Sequence, residues 1–108
     1  MRRFKPRDLQ AYLADNPAPP LLLDVREPWE FQICQLQGSR LLPMRQIPLA
    51  VEAEELDPEQ EIVVICHHGI RSRQVAYYLE QQGFDKVINL EGGVEAWAED
   101  IDPAMPRY

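Results

Sequence analysis

Residues Cys66 to Ser72 read C-H-H-G-I-R-S and bring a thiol, two imidazoles, a guanidinium and a hydroxyl into one short run. An apolar segment, Ile62-Val63-Val64-Ile65, precedes the run, and an amphipathic one, Val75-Ala76-Tyr77-Tyr78-Leu79, follows it. The thiol of Cys66 therefore falls where a buried strand ends, on a loop that turns at once into a helix. Helix starts leave backbone N–H groups without intrahelical acceptors, and the positive end of the helix dipole lies there too. Such a corner binds anions and favours a thiolate. A free cysteine with a pKa of ~8.5 is only about 3% thiolate at pH 7, whereas a drop to ~6.5 gives about three-quarters, a difference of ~2.7 kcal/mol. Arg71 and the loop amides are at hand to supply it. Cys66 is the expected nucleophile, against the plainer reading of a buried, inert thiol.

The elements that must carry this loop follow from apolar blocks and breakers. Pro6 suits a first helical turn, and Leu9, Tyr12 and Leu13 give one apolar face up to Asp15, before Asn16-Pro17-Ala18-Pro19-Pro20 ends it. Leu21 to Val25 reads as a buried strand, and Glu27-Pro28-Trp29-Glu30 as a helix start, with Trp29, Phe31 and Ile33 as packing residues. Arg40-Leu41-Leu42 is a short strand before Pro43. An acidic helix is expected over Leu49 to Leu56. Glu61 to Ile65 is the clearest strand, being β-branched through its centre. Ser72 is the expected N-cap of the helix that reaches Gln82, with Gly83 after its end. Lys86 to Leu90 is a further strand, and Gly92-Gly93 turns into a last helix over Val94 to Ala98. Residues 102–108 read as an extended, loose tail. Strands alternating with helices over short connections predict a parallel sheet covered on both faces, in an α/β fold. Ligands of such sheets bind beyond the carboxyl ends of the strands, where Cys66 and Asp24-Val25-Arg26 both fall.

Composition narrows the function. The chain has 108 residues, which suits one domain, and is 45% hydrophobic, enough for a core without metal or disulfide staples. With 11 Lys+Arg against 18 Asp+Glu the net charge is −7, which argues against nucleic-acid and anionic-membrane binding. An anionic substrate must then be drawn in locally, by Arg71, Arg73 and the loop amides. Two cysteines in unrelated contexts, Cys34 and Cys66, fit a reducing compartment better than a secreted disulfide framework. The basic start, Met1-Arg2-Arg3, has no apolar stretch after it, and no run approaches the ~20 apolar residues of a membrane span. A cytoplasmic protein is expected.

With these residues placed, the sequence resembles the single-domain rhodanese-like sulfurtransferases from about Leu21 to Trp97. The pieces that carry the resemblance are Asp24-Val25-Arg26-Glu27, Gly38 with Leu42-Pro43, the Cys66 to Ser72 loop, and Gly83-Phe84 through Val87, Asn89 and Leu90 to Gly92-Gly93 and Ala96-Trp97. One departure is Cys34-Gln35-Leu36-Gln37-Gly38, where the family commonly has Gly-His ahead of its turn. The resemblance implies a three-layer α/β/α domain over residues 1–108, its core at about 4–99 and its tail at 100–108. It implies a Cys66 persulfide, formed from a sulfane donor such as thiosulfate and passed to cyanide, a small thiol or a sulfur-accepting protein. It implies that His67, His68, Gly69, Ile70, Arg71 and Ser72 bind the substrate, that Asp24 and Arg26 support the site, and that no cofactor or metal takes part.

Several residues have plainer readings. Arg71 can brace the loop as well as meet an anion. Adjacent histidines, expected to point in different directions, shape the loop or tune Cys66 and are a poor metal pair. Trp29 and Trp97 read as core, and Gly92-Gly93 as turn chemistry. Cys34, in an apolar helix, reads as buried and not as a resolving thiol. The rival enzyme class is a cysteine-dependent phosphatase or arsenate reductase, but that cradle is one residue longer between cysteine and arginine than the four residues found here. The remaining alternatives are a protein-to-protein sulfur relay and a non-catalytic interaction module.

Overall fold

Short β-branched blocks with polar or glycine residues after them make short strands, and the proline and glycine breakers between them leave room for one helix each. The computed structural model describes all 108 residues. Its strands are β1 (Arg2–Phe4), β2 (Leu21–Asp24), β3 (Arg40–Leu41), β4 (Ile62–Ile65) and β5 (Val87–Leu90). Its helices are α1 (Pro6–Asp15), α2 (Pro28–Ile33), α3 (Ile47–Glu52), α4 (Ile70–Gln81) and α5 (Gly93–Asp100), with a 3-10 turn at Met44–Gln46. The five strands form one parallel sheet in the order β1-β5-β4-β2-β3. Asp24 lies opposite Ile65, so β2 and β4 end side by side and present Val25-Arg26 and Cys66 at the same edge. None of the helices is long and apolar enough to cross a membrane.

Alternation along the strands divides the core in two. Leu23, Val25, Ile62, Val64, Cys66 and Val87 face one way and pack with Ile47 and Ala50 of α3 and Val75, Ala76 and Leu79 of α4. Leu22, Val63, Ile65, Ile88 and Leu90 face the other and pack with Leu9 of α1 and Val94 and Ala98 of α5. Burying each such side chain is worth about 1.5–3 kcal/mol, so both helical layers are held by packing on the sheet. This is the expected parallel α/β/α architecture.

Several local readings differ from what forms. The basic N-terminal residues build an edge strand, β1, paired to β5. The helix expected over Leu49 to Leu56 starts earlier and stops sooner, because Pro48 sits in its first turn and Glu54 has φ +58. Ser72 is not an N-cap: α4 begins at Ile70, capped by Gly69 in the left-handed region. Trp29 is 60% exposed and not core. The tail also departs from a loose segment. Asp102 N–H bonds the Trp97 carbonyl at 3.0 Å, Met105 is buried in the second core, and Arg107 pairs with Glu95.

Candidate active site

Cys66 leaves β4 with its side chain 1% exposed. Gly69, at φ +96, turns its N–H back onto Cys66 Sγ at 3.0 Å. A Cβ at Gly69 would come within 2.9 Å of Gly92 N, so both the conformation and the space demand glycine. The carbonyls of Cys66 and His67 point the opposite way and accept from the N–H groups of Val94 (2.9 Å) and Glu95 (3.1 Å) in the first turn of α5. Gly93 lies against those two oxygens, where any Cβ would overlap them. Gly92-Gly93 is therefore more than a turn. It lets α5 hold the loop carbonyls outward.

The N–H groups of His67, His68, Ile70, Arg71 and Ser72 find no acceptor anywhere in the chain. The last three are first-turn amides of α4, which a helix cannot satisfy itself. Open donors thus stand on both sides, in the chain, of the one amide that bonds the sulfur. Cys66 Sγ in turn donates to Ser72 Oγ at 3.3 Å, and Ser72 donates to Asn89 Oδ1 at 2.6 Å. Asn89 is on the same face of β5 as Val87, the face covered by α4, and its amide donates to the Gly69 carbonyl at 3.3 Å. Loop, helix and strand are tied through Cys66.

The two histidines lie together and not apart. Their rings stack at 3.9 Å, and His67 stacks again on Tyr108 at 3.8 Å. Burial, then the charge of His68, holds the His67 imidazole below its ordinary pKa, and its Nε2 is buried without a partner. No three His, Cys, Asp or Glu side chains converge as a metal-ligand set.

Arg71 does not stand free. Its Nη1 and Nη2 donate to the two carboxylate oxygens of Glu30, both at 2.8 Å, in a bidentate pair across 41 residues. Glu30 also accepts from the Glu27 N–H at 2.9 Å and from the Tyr108 hydroxyl at 2.9 Å. The Arg71 guanidinium, helped by those two donors and opposed by burial, holds the Glu30 carboxyl at a pKa of about 2. Behind it, Asp24 and Arg26 form a fully buried pair at 2.7 Å. Burial works against the Arg26 charge, and the Asp24 carboxylate more than offsets it, so the guanidinium titrates above its ordinary range. Arg26 also donates to the Cys34 carbonyl at 2.6 Å and to the Tyr108 hydroxyl at 2.8 Å. Cys34 is buried, and it packs in the opposite sheet face from Cys66.

Two cavities flank the loop. One of about 410 Å³ is lined by Val25, Glu27, Met44, Arg45, Pro48 and Arg71. The other, about 230 Å³, backs onto His68, Gly69 and Ile70, with Arg3 and Arg73 at its rim. Arg45 is exposed and takes part in no ion pair. All the expected loop residues and both supporting residues thus gather at one edge of the sheet. Glu30, Asn89, Arg45 and Tyr108 join them unforeseen. A polar Asn inside a buried strand and an acidic residue on the inner face of α2 were signals for the first two; nothing local marks the others.

Residues 5–100 match the family of the rhodanese-like domain. The chain belongs to that family. It is 42% identical over 89 residues to the rhodanese-like/PpiC domain-containing protein 12, chloroplastic, of Arabidopsis thaliana, covering 81% of this chain but only 30% of that protein. It is 38% identical over 76 residues to the thiosulfate sulfurtransferase GlpE of Vibrio cholerae, with 70% of each covered. The crystal structure of a rhodanese-like domain protein from Staphylococcus aureus superposes with a TM-score of 0.82 at 28% identity, covering 100% of this chain and 99% of that one. The chain spans under a third of the length of the Arabidopsis protein.

Proposed function

We propose that this rhodanese-like domain moves sulfane sulfur from an anionic donor such as thiosulfate to a nucleophilic acceptor through a persulfide on Cys66. The observation that carries the reading is a sulfur bonded by Gly69 N–H within a run of loop amides that have no acceptor of their own. A thiolate at Cys66 attacks the outer sulfur of thiosulfate; the new S–S bond forms as the bond to sulfite breaks, and sulfite leaves with the electron pair. The product Cys66–S–S⁻ carries one negative charge, and preorganised N–H donors stabilise such charge without reorganisation. Ser72 is placed to help. Its hydroxyl accepts from the thiol and, once that proton is gone, is the adjacent donor that can turn onto the sulfur. A nucleophile such as cyanide or a thiolate then takes the outer sulfur and regenerates the Cys66 thiolate, a two-step covalent exchange.

With Arg71 committed to Glu30, the unpaired cation in the larger cavity is Arg45, and it is our candidate for the sulfonate end of the donor. Ile70 and Trp29 are exposed apolar side chains, 58% and 60%, which suits an organic or protein thiol as acceptor. Two free thiols are in keeping with a reducing cytoplasm. Intact-protein mass spectrometry tests the reading. Thiosulfate should add one sulfur atom on Cys66 that cyanide removes, and Cys66→Ser should take up none. A parent chain that never gains sulfur, or a Cys66→Ser variant that keeps most of its transfer activity, refutes it.

A further inference from the structure

Tyr108 touches one end of the loop directly and reaches the other through Glu30, since its ring lies flat on His67 and its hydroxyl donates to the carboxylate that holds Arg71. The ring sits 3.8 Å from His67 at 12° and meets the exposed Trp29 edge-on at 5.8 Å. The hydroxyl accepts from Arg26 at 2.8 Å and donates to Glu30 at 2.9 Å. A tyrosine is fitted to this, with an apolar body for the stack and a polar tip for the network. The segment that carries it is anchored separately, by buried Met105 and by the Arg107–Glu95 pair. Its placement is therefore built in.

Resting on the sulfurtransferase reading above, we propose that Tyr108 is a positioning residue of the sulfur site: by gripping His67 and, through Glu30, Arg71, it holds in one conformation the loop that carries the open amides and the Gly69 N–H bonded to Cys66. The need is physical. His67 and Arg71 bound the stretch that carries the free N–H groups, and those donors stabilise a persulfide only if they stay aimed at it. His67 has no hydrogen bond at Nε2 to fix its ring, so stacking must do so. Arg71 is 35% exposed and needs a held partner to stay in one rotamer. One residue secures both.

The test compares the parent with Tyr108→Phe, which keeps the stack and loses the hydroxyl, and with Tyr108→Ala, which loses both. Sulfur loading from thiosulfate is followed by rapid quench and mass spectrometry, and the His67 imidazole is titrated by NMR. Tyr108→Ala should lower the loading rate at saturating donor about tenfold or more, with the half-saturating concentration changed less than about threefold. Tyr108→Phe should regain only the part of that rate carried by the stack on His67, falling between the parent and Tyr108→Ala. The His67 midpoint should rise toward that of a free imidazole in Tyr108→Ala and stay low in Tyr108→Phe, a response that mere loss of stability does not produce. His67→Ala removes the other half of the stack and should reproduce the rate loss, so the idea is still tested if Tyr108→Ala fails to fold. Loading within twofold of the parent in His67→Ala or in folded Tyr108→Ala overturns the proposal, as does an unchanged His67 titration in Tyr108→Ala. Failure of the sulfurtransferase reading looks different, because the parent itself then loads no sulfur.

Discussion

Glu30→Gln isolates one charge in the network behind Cys66, because glutamine keeps the shape and an acceptor oxygen but not the anion. Glu30 is 3% exposed and accepts from Arg71 twice, from Glu27 N–H and from Tyr108. A carboxylate whose pKa falls on folding stabilises the native state above its unfolded pKa and loses that contribution as the pH drops through the folded one. Here the window runs from 4.5 down to about 2. The full shift corresponds to about 3 kcal/mol, which the partial exposure of Arg71 trims to about 2–3 kcal/mol. A domain of this size has roughly 5–15 kcal/mol in hand, so the variant still folds. Urea unfolding of parent and Glu30→Gln should differ by about 2–3 kcal/mol at pH 7 and nearly as much at pH 5, with the gap shrinking to about 1 kcal/mol at pH 3. The buried Asp24–Arg26 pair is present in both proteins and does not enter the difference. A gap that stays flat from pH 7 to pH 3, or no gap at pH 7, refutes the assignment of Glu30 as an ionised anchor for Arg71.

Two further substitutions probe the loop and the cavity. Gly93→Ala should cost more than about 2 kcal/mol by thermal unfolding and abolish sulfur uptake, since its φ of +59 disfavours a side chain and the carbonyls of Cys66 and His67 leave no room for one. Gly38→Ala, at φ +81 with open space around it, is the control and should cost only about 1 kcal/mol; equal losses would remove the argument from close approach. Arg45→Gln should raise the KM for thiosulfate about tenfold while leaving the rate at saturation within about twofold, the loss of one charge-assisted contact worth about 1.4 kcal/mol. An unchanged KM places donor recognition elsewhere.

The parts of the site legible in the sequence were those fixed by local rules. A β-branched block ending in cysteine, a glycine and a helical pattern place Cys66 at the corner between strand and helix, because strand end, turn and helix start depend on neighbours in the chain. Asp24 and Arg26 are two residues apart, so their pairing was readable too. Ser72 had a local role available as a cap, but its hydroxyl serves Cys66 and Asn89, and the left-handed Gly69 takes the cap position. Tertiary demand overrode propensity there. Glu30 and Tyr108 act across 41 and 78 residues, with Arg71 and with each other, and no periodicity encodes such contacts. Trp29 departs from its hydrophobic expectation for the same reason: it lies at the surface, beside Tyr108.

The same contacts bear on the proposed choice of sulfur over a phosphoryl group. A phosphoryl transition state spreads charge over three oxygens and calls for a cation that can close on them. Arg71, the guanidinium in the loop, is held bidentately by a carboxylate that stays ionised down to a pH of about 2. Releasing it would leave a buried charge on Glu30 with only the Tyr108 hydroxyl and one amide for company, a costly exchange. A persulfide asks for less. Once sulfite has gone, one sulfur with one negative charge remains, and amides alone can serve it. The carbonyls turned outward onto α5 leave the other edge of the loop free to supply those amides. On the proposed sulfur-transfer reading, Glu30 thus holds Arg71 away from an oxyanion and at the same time stiffens the loop, so a single pairing serves both ends.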